Sequence, residues 1–518
     1  MPCFGEDTCY SLAFGVPAIL MLVATIFFVI GKPFYVMKAP EGSITTKVIG
    51  SISHATVKKF TSSEKKEHWM DYAEDKYDKT LIADVKTLLR VLVIFIPIPA
   101  FWALFDQTGS RWTFQAQRLN GMIGSTIIKP DQMQIVNPLL ILALIPLFDQ
   151  LIYPMFAKIN FLKKPLQRIA VGGILTAFSF FVSGFLELKI EKTYEVVPKL
   201  GESHLHIMNT INCPIVVKMS QNAELLHSHD IEMSLNSIIY DLKPELYSVE
   251  VKQSSQLPEC RGLQKASFEF NGNDKEVTAY LIRRNFQDND LIEAIKIEKA
   301  GEPKKQEDAS AKLRFIFNTG SETLETVVLR GSEEVQLQSN ESYNGLAETP
   351  YKKVAPGSYD ILVDDIKIDE VFFLPGGVHN MVINKNKTDG TMKLNDFLLT
   401  QDNSIHMLWL LPQYFVITVG EIMLSITGLE FSYSQAPESM KSVLQAAWLL
   451  NVAFGNLIVI LIAEAKAFDS QASEFFMFGI FMLLDMVLFS FLAYRYKYVK
   501  DIKKEDEDIQ LEETEQRQ

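Results

Sequence analysis

The sequence predicts an all-α membrane protein with an all-β domain inserted between its later helices. Three observations support this fold class. Hydrophobic residues make up 48% of the 518 residues, they gather in runs of about 20, and one long stretch alternates with a period of two instead. A net charge of −13 argues against a nucleic-acid-binding protein, and four cysteines are too few for a disulfide scaffold or a cysteine-rich zinc module.

Seven apolar segments are long enough to cross a bilayer as helices. The first is too long for a cleaved signal peptide, and no basic region precedes it. The predicted spans are Leu12–Ile30, Thr87–Gln107, Gln132–Phe156, Leu166–Leu186, His406–Thr427, Ser442–Ile462 and Glu474–Tyr494.

Basic residues orient these spans, because short loops rich in Lys and Arg stay on the cytoplasmic side. The Lys-rich segment from Lys32 to Lys86 and the loop from Lys158 to Arg168 are therefore predicted to be cytoplasmic. Alternation then puts the N-terminus outside the cell and the C-terminus inside, and we expect insertion in the plasma membrane. The predicted regions are a first helix (1–31), a cytoplasmic linker (32–86), three spans (87–189), two extracellular β lobes (190–300 and 301–404), three further spans (405–496) and an acidic tail (497–518).

Short alternating segments predict strands between Ile190 and Ser404, with turns such as Asn271-Gly and Asp389-Gly between them. Pro244 and Tyr247 are echoed by Pro356 and Tyr359, and each pair is followed by hydrophobic residues at the same spacing, which indicates two copies of one unit. A chance match of two strands is the alternative. With a charged linker from Lys299 to Lys312, two units of about 100 residues fit immunoglobulin-like sandwiches. The clearest strand segments are Ser267–Phe270, Val277–Ile282, Lys312–Phe317 and Glu334–Leu337.

Two kinds of covalent modification are predicted in the same stretch. Asn340-Glu-Ser and Asn386-Lys-Thr are N-glycosylation triplets on the side that the charges place outside. Cys213 and Cys260 could form a disulfide in an oxidising compartment, and two free thiols are the alternative.

Ionisable residues inside spans are costly, so each is a candidate functional residue. Arg90 and Asp149 lie at similar depth on antiparallel spans and could form a charge pair that opens as helices move; for Arg90, snorkelling to the interface is the alternative. Glu421 lies deep in the fifth span and must be protonated, paired or facing water, which suits proton coupling or binding of an ammonium group. Asp106 is a weaker interfacial candidate, and Asp485 receives no role.

Aromatic and amide residues supply the other walls of the predicted cavity. Trp102 and Phe105 lie on the second span, Asn137 on the third, Tyr414 on the fifth and Trp448 on the sixth. Prolines interrupt several of these helices, and broken helices are tolerated where they line a cavity. They are Pro97, Pro99, Pro138, Pro146, Pro154 and Pro412.

The sequence shows no phosphate-binding Gly-x-x-x-x-Gly-Lys motif, so ATP-driven transport is not indicated. It also shows no metal-ligand spacing and no nucleophile triad, and we expect no enzyme. A transporter and a seven-helix receptor remain. The inserted domain, the intramembrane charges and the repeated prolines favour transport, and the receptor motifs Asp-Arg-Tyr and Asn-Pro-x-x-Tyr are absent from the sequence.

Long stretches of the chain closely resemble the animal proton-coupled oligopeptide transporters. The resemblance covers Cys9 to about Tyr498. It is carried by Cys9-Tyr-Ser-Leu-Ala-Phe-Gly-Val-Pro, His68-Trp-Met-Asp-Tyr-Ala-Glu-Asp-Lys-Tyr, Phe101-Trp-Ala-Leu-Phe-Asp-Gln-Thr-Gly-Ser-Arg-Trp, Pro130-Asp-Gln-Met-Gln-Ile-Val-Asn and Gly428-Leu-Glu-Phe-Ser-Tyr-Ser-Gln-Ala-Pro.

This resemblance implies the major facilitator fold, with twelve helices in two halves, and symport of di- and tripeptides with protons, without a cofactor. The first span would match the sixth helix of the family and the others helices seven to twelve. Glu421 would hold the peptide amino terminus, while Arg90, Asp149 and Asp106 would serve coupling and gating. The other implied peptide-binding residues are Trp102, Phe105, Asn137, Tyr414 and Trp448.

The family's Glu-x-x-Glu-Arg motif, its pocket histidine and its Phe-Tyr-x-x-Ile-Asn signature are absent from the sequence. We therefore expect a shortened isoform or a fragment that does not transport alone. It would then misassemble, be degraded, or associate with a full-length transporter or with the missing half, and a non-transporting binding or regulatory subunit is the alternative function.

Overall fold

A computed structural model describes the fold of the chain as two compact units, Met1–Leu88 with Pro437–Val443 and Leu89–Ala436 with Leu444–Gln518. The structure describes residues 10–498 except 36–43, 63, 125, 223, 255, 256, 258, 259, 289, 298–302, 307, 309, 321–324, 341–344, 387–389, 466, 467 and 469. The predicted acidic tail after Tyr498, Asp389 of the Asp389-Gly turn and six of the fourteen residues of the predicted linker between the lobes lie outside these residues.

The first unit begins with α1 (Tyr10–Ile30), which is apolar on all sides and has no buried residue. The segment predicted as a linker contains a helix of its own, α2 (Ile44–Thr61), packed against a short 3₁₀ turn at Trp69–Ala73. His68 caps this turn by accepting the N–H of Met70 at 3.1 Å. This segment is therefore ordered by local capping and by ion pairs such as Lys58–Asp75 at 2.5 Å.

Ten further helices follow within the described residues, four of them with 17 residues or more. They are α3 (Lys79–Phe95), α4 (Ile98–Phe105), α5 (Arg111–Gln117), α6 (Val136–Leu147), α7 (Tyr153–Lys158), α8 (Pro165–Ile190), α9 (Leu411–Glu421), α10 (Thr427–Gln435), α11 (Lys441–Ala465) and α12 (Gln471–Arg495). Within the described residues, six helical segments are long and apolar enough to cross a membrane, or seven if one bent pair counts as a single span.

That bent pair is the predicted second span. Its halves, Lys79–Phe95 and Ile98–Gln117, meet at an angle of 44°. Pro97 and Pro99 lie at the break. Proline interrupts a helix because it lacks the N–H that continues the helix and because its ring clashes with the preceding turn.

Two other spans contain a π-helical turn. Phe148–Ile152 joins α6 to α7, and Ile422–Ile426 joins α9 to α10. Phe148, Ile422 and Met423 belong to the same buried apolar cluster, so these two turns pack into one region. π-helical turns are rare and occur frequently at functional sites.

The β domain forms two lobes. The strands of lobe 1 are β3 (Ser203–Asn209), β4 (Ile215–Gln221), β5 (Glu224–Ile231), β6 (Asn236–Leu242), β7 (Leu246–Gln253), β8 (Ala266–Asn271), β9 (Val277–Arg284) and β10 (Ile292–Ile297). They make two sheets, β10-β9-β3-β6 and β5-β4-β7-β8, which enclose one apolar core. The disulfide Cys213–Cys260, between the two cysteines predicted as a possible pair, lies in that core. A short hairpin, β1 (Met122–Ile123) and β2 (Thr126–Ile127), precedes the lobes.

Lobe 2 repeats this arrangement. Its strands are β11 (Ala311–Asn318), β12 (Thr326–Gly331), β13 (Glu334–Gln338), β14 (Ala347–Glu348), β15 (Lys352–Val354), β16 (Gly357–Val363), β17 (Ile366–Phe373), β18 (Val378–Lys385) and β19 (Met392–Thr400). One sheet has the order β14-β11-β18-β19 with β15 also on β11, and the other has the order β13-β12-β16-β17. All four predicted strand segments lie in strands, namely β8, β9, β11 and β13.

The Pro-Tyr echo corresponds to this structural repeat. Tyr247 on β7 donates its hydroxyl to the carbonyl of Lys243 at 3.1 Å, and Tyr359 on β16 donates to Ala355 at 2.9 Å. Each tyrosine thus bonds to the backbone four residues upstream, at the corner where its strand begins, as in the tyrosine corner of β-sandwiches.

The immunoglobulin-like topology needs correction. In an immunoglobulin constant domain the second and third strands lie in different sheets. Here β4–β5 and β12–β13 are hairpins within one sheet, and each lobe has a parallel pair, β3 with β9 and β11 with β18. The lobes are two-sheet sandwiches with this different strand order.

Polar contacts hold the lobes to each other and to the helices. Asn236 donates to the carbonyl of Leu398 at 2.8 Å across a shared apolar interface between the lobes. Asn403, just after β19, donates to the carbonyl of Gln117 at the end of α5 at 3.2 Å.

Candidate functional site

Asn137 and Glu421 meet inside the helical bundle. The amide nitrogen of Asn137 on α6 donates to Oε2 of Glu421 at 2.8 Å and to the hydroxyl of Thr418 at 3.0 Å. Thr418 in turn donates to the carbonyl of Tyr414 at 2.7 Å. No hydrogen bond to the second oxygen of Glu421 occurs in the part of the chain that the structure describes, so this oxygen remains available to a donor on a ligand.

Two glycines fix the position of Glu421. A Cβ at Gly420 would lie 2.6 Å from the hydroxyl of Thr176 and 2.8 Å from the carbonyl of Gly172. A Cβ at Gly172 would lie 2.7 Å from the carbonyl of Gly420. α8 and α9 therefore touch backbone to backbone here, as small residues allow in membrane helix pairs. Glu421 is the last residue of α9 before its π-helical turn, so packing of α8 sets where the carboxylate lies.

Tyr414 lies two turns before Glu421 on the same helix and is buried. Its ring makes an edge-to-face contact with Trp112 on α5, with centroids 4.9 Å apart. Sequence reasoning missed Trp112 and Thr418. Thr418 lies one turn before Glu421 on the same helix face, and that spacing could have identified it.

The other aromatic candidates form two further groups. Trp102 and Phe105 on α4 touch edge to face at 5.9 Å, and both are half-buried. Trp448 on α11 is buried against Phe95 at 5.5 Å and against Gly428. The structure does not bring either group into contact with Glu421 within the described residues.

Arg90 and Asp149 are apart in this conformation. Both side chains are exposed, and neither has an ion pair or a hydrogen bond among the residues described. Arg90 lines a cleft with Arg495 and Tyr496. Asp149 lies in the π-helical turn Phe148–Ile152.

Asp106 and Asp485, the other predicted span acids, lie apart from these groups. Asp106 follows α4 and Asp485 lies within α12, and each has one buried carboxylate oxygen that no described donor contacts. Neither residue lies in the Asn137–Glu421 group.

A second polar group occupies the end of the bundle next to the lobes. Glu187 on α8 is buried and accepts from Gln115 at 2.7 Å and from Tyr194. Arg118 donates to the hydroxyl of Tyr194 at 2.7 Å. Sequence reasoning missed this group because the predicted fourth span ended at Leu186, one residue before the acid.

The two predicted glycosylation residues are exposed. Asn340 follows β13, and Asn386 follows β18. Both positions are open to solvent on the lobes.

Comparison with known proteins identifies the family. The model of the POT family matches residues 1–244 and 378–474. Solute carrier family 15 member 2 of Danio rerio is 37% identical over 509 residues, covering 96% of this chain and 68% of the relative. Peptide transporter family 1 of Drosophila melanogaster is 36% identical over 513 residues, covering 98% of this chain and 66% of the relative.

A solved structure of an auto-inhibited POT family peptide transporter aligns at a TM-score of 0.44 and 17% identity, over 94% of this chain and 65% of that one. The chain thus spans about two thirds of the length of these proteins. The matched helices and the apolar spans make it an integral membrane protein, and the chain belongs to the POT family of transporters.

Proposed function

We propose that this chain supplies the peptide-binding surface of a peptide:proton symporter for di- and tripeptides. The observation that carries the proposal is the Asn137–Glu421 pair, a carboxylate held by an amide inside a span with one oxygen left open. The names of the relatives, solute carrier and peptide transporter, support the same function.

The geometry suits the ammonium group of a peptide N-terminus. Asn137 and the backbone position of α9 hold Oε2 of Glu421, so the open oxygen can accept charge-assisted hydrogen bonds from the ammonium. The same carboxylate can bind a proton when no peptide is present. Exchange of one cation for the other at a single group is a simple means of coupling their movements.

Aromatic residues complete the proposed site. Tyr414, Trp448, Trp102 and Phe105 offer apolar faces that can pack against peptide side chains of different shapes. Such surfaces discriminate weakly among side chains, because adding or removing one methylene in an apolar pocket changes binding by only about 1–3 kcal/mol.

Proton coupling and gating are proposed for Arg90, Asp149 and Asp106. Arg90 and Asp149 would pair in a second conformation that brings their spans together, and the π-helical turns at Phe148–Ile152 and Ile422–Ile426 are local sites where helices can rearrange. Alanine at either position should impair coupling, and exchanging the two charges should restore part of it. If the effects of the single and double changes on coupling simply add, Arg90 and Asp149 do not form a pair.

We further propose that residues 190–404 and the N-terminus face outward at the plasma membrane, with Asn340 and Asn386 glycosylated. In this arrangement the spans would be the second half of a major facilitator fold. The exposed charges of Arg90 and Asp149 would cost several kcal/mol against lipid, so another helical surface must cover them. A full-length transporter or the missing half would provide it.

Binding to the purified full chain tests the peptide site without requiring transport. A labelled dipeptide and its N-acetylated form differ only in the ammonium group. Glu421→Gln should weaken binding of the free dipeptide by at least about tenfold and leave the acetylated form unchanged. Glu438→Gln, at an exposed acid, is the matched control. Equal affinity of wild type and Glu421→Gln for the free dipeptide would overturn the site.

A second candidate function is a binding or regulatory subunit that does not transport by itself. The exposure of Arg90 and Asp149 favours it. Expression of this chain in cells without a peptide transporter should give no saturable dipeptide uptake, and co-expression with a full-length relative should change that relative's uptake. Saturable uptake by the chain alone, faster at acidic pH, would instead identify it as a transporter in its own right.

A further inference from the structure

A cleft of about 380 Å³ on the β lobes is lined in part by His204, a buried histidine. His204 on β3 is only 1% exposed, and no described residue hydrogen-bonds to its Nε2. Leaving a buried polar atom unpaired is unfavourable, because the atom loses its hydrogen bond to water and gains none in the protein. A ligand at this nitrogen would remove that cost.

Two carboxylates lie close to the imidazole of His204. Oδ1 of Asp241 lies 3.9 Å from Nε2 of His204. One ligand atom from each of Glu202, His204 and Asp241 lies within 4.8 Å of the other two. The three side chains therefore surround a common point.

A β-bulge builds this cluster. On the β3–β6 ladder, Ser203 pairs with Leu242 and Leu205 pairs with Ile239, so Tyr240 and Asp241 together lie opposite His204. Asp241 takes a left-handed backbone conformation with φ of 56°. Bulges of this kind redirect a side chain, and here the extra residue places the carboxylate of Asp241 beside His204.

The neighbouring groups orient two of the three side chains. The ring of Tyr240 packs edge to face on His204 with centroids 5.1 Å apart. Oε2 of Glu202 accepts the backbone N–H of Lys199 at 3.0 Å. Contacts of this type orient the ligands of metal sites.

We propose that Glu202, His204 and Asp241 bind a zinc ion, with water from the cleft as the remaining ligand. Zinc takes imidazole nitrogen and carboxylate oxygen at about 2.0–2.2 Å in tetrahedral geometry, which places ligand atoms roughly 3.4 Å apart. Asp241 can close this distance by rotation, because its side chain is 74% exposed. Calcium and magnesium prefer sites made only of oxygen, so the imidazole favours zinc.

The bound ion would tie the beginning of β3 to the end of β6 and would offset the repulsion between the two acids. Zinc binding should therefore raise the melting temperature of the lobes. The inference concerns the lobes alone and does not depend on transport.

Titration of the metal-free full chain with zinc chloride, followed by calorimetry, tests the site. We expect one tight zinc ion per chain. Asp241→Asn and Glu202→Gln should each weaken binding at least about tenfold and remove the rise in melting temperature. Asparagine tolerates the left-handed conformation of position 241, so this variant should keep the fold. Asp365→Asn is the matched control, since Asp365 is also exposed with a φ of 62°.

His227 and His229 on β5 are the competing explanation for zinc binding. Their rings stack with centroids 6.1 Å apart. The double variant His227→Gln/His229→Gln should keep the tight zinc ion. Loss of the ion in that variant, or its retention in both Asp241→Asn and Glu202→Gln, would overturn the proposal.

Discussion

In the β lobes, each of two buried arginines lies against a carboxylate, whereas two charged residues on the helices have no such partner. Arg283 pairs with Glu293 at 3.1 Å and Arg314 with Glu348 at 3.0 Å. Arg90 and Asp149 are exposed, and neither is ion-paired within the described residues. The lobes pair these two buried cations internally, whereas Arg90 and Asp149 on the helices are unpaired within the described residues.

Whether a charged residue is paired depends on where it lies in the molecule, and not on whether it belongs to a helix or a strand. At the end of the bundle next to the lobes, Glu187 is buried and bonded to Gln115 and Tyr194, as completely as any acid in the lobes. The unpaired charges lie on other segments, Arg90 on α3 and Asp149 in the π-helical turn Phe148–Ile152. The chain thus combines a self-sufficient region with a surface that we expect to be covered by a partner.

Removal of the disulfide should give the largest effect on the self-sufficient region. The bond between Cys213 and Cys260 closes a loop with a sequence separation of 47 in the core of lobe 1. Cys213→Ala with Cys260→Ala should lower the free energy of unfolding of the lobes by about 2–5 kcal/mol. Melting of the purified chain, followed by the circular dichroism of strands and helices separately, measures this.

If the lobes fold independently, only the strand signal should melt earlier. A matched loss of the helical signal would show that the lobes and the bundle unfold together. The lobes would then not be a region that is stable independently of the helices.

The pH dependence of the lobes should follow from His379. Burial opposes its charge, but its contacts with Asp396 at 2.9 Å and Asp402 at 3.2 Å outweigh that effect and raise its pKa from 6.5 to about 9. Because the folded pKa exceeds the unfolded one, this stabilisation is complete below pH 6.5 and is lost as pH rises through about 9. The shift corresponds to roughly 3 kcal/mol.

Thermal melting at neutral pH and above pH 9 measures the loss. His379→Gln should remove this part of the pH dependence, since glutamine carries no charge at either pH. His229→Gln, at a less buried histidine, is the control and should melt like wild type at both. A variant at position 379 with the pH dependence of wild type would contradict the assignment.

The sequence predicted the features that depend on local pattern. Two-residue alternation located β8, β9, β11 and β13, and Pro97 marked the break in the second span. The Pro-Tyr echo located the repeat because the tyrosine contact spans only four residues.

Features that depend on packing between distant segments were not predictable in this way. The π-helical turn after Glu421 has no distinctive composition, and it lies where α8 and α9 meet. Glu187 was missed because hydropathy places the end of a span only approximately. The cluster of Glu202, His204 and Asp241 depends on strand pairing and a bulge, which no spacing in the sequence reveals.

In the helical part, Gly420→Ala should destabilise the contact of α8 with α9. The added Cβ would lie 2.6 Å from the Thr176 hydroxyl and 2.8 Å from the Gly172 carbonyl, so one helix must shift. Overpacking of this kind costs about 1–3 kcal/mol. Melting of the helical signal measures it, and Gly109→Ala is the control because a Cβ there meets no atom within 4 Å.

Adding Thr176→Ala to Gly420→Ala should restore only part of the lost stability, since the Cβ at position 420 still clashes with the Gly172 carbonyl. Full restoration would mean that the hydroxyl alone sets the approach of the two helices. The strand signal should not change in either variant.

The smallest expected effect tests the equivalence of the two lobes. Tyr247→Phe and Tyr359→Phe each remove one hydroxyl that bonds to the backbone at 3.1 and 2.9 Å. Because both phenols are buried at the same corner of equivalent sheets, each change should lower the free energy of unfolding of the lobes by about 1 kcal/mol. Tyr240→Phe is the control, because no described residue hydrogen-bonds to that hydroxyl.

The double variant distinguishes two ways in which the lobes could unfold. If the lobes melt as one unit through their shared interface at Met208, Leu281 and Phe397, the two losses should add within about 0.5 kcal/mol. If the lobes melt separately, each variant should shift only one of two transitions. If Tyr247→Phe lowers the free energy of unfolding and Tyr359→Phe does not, the repeated contact is present in lobe 2 without stabilising it.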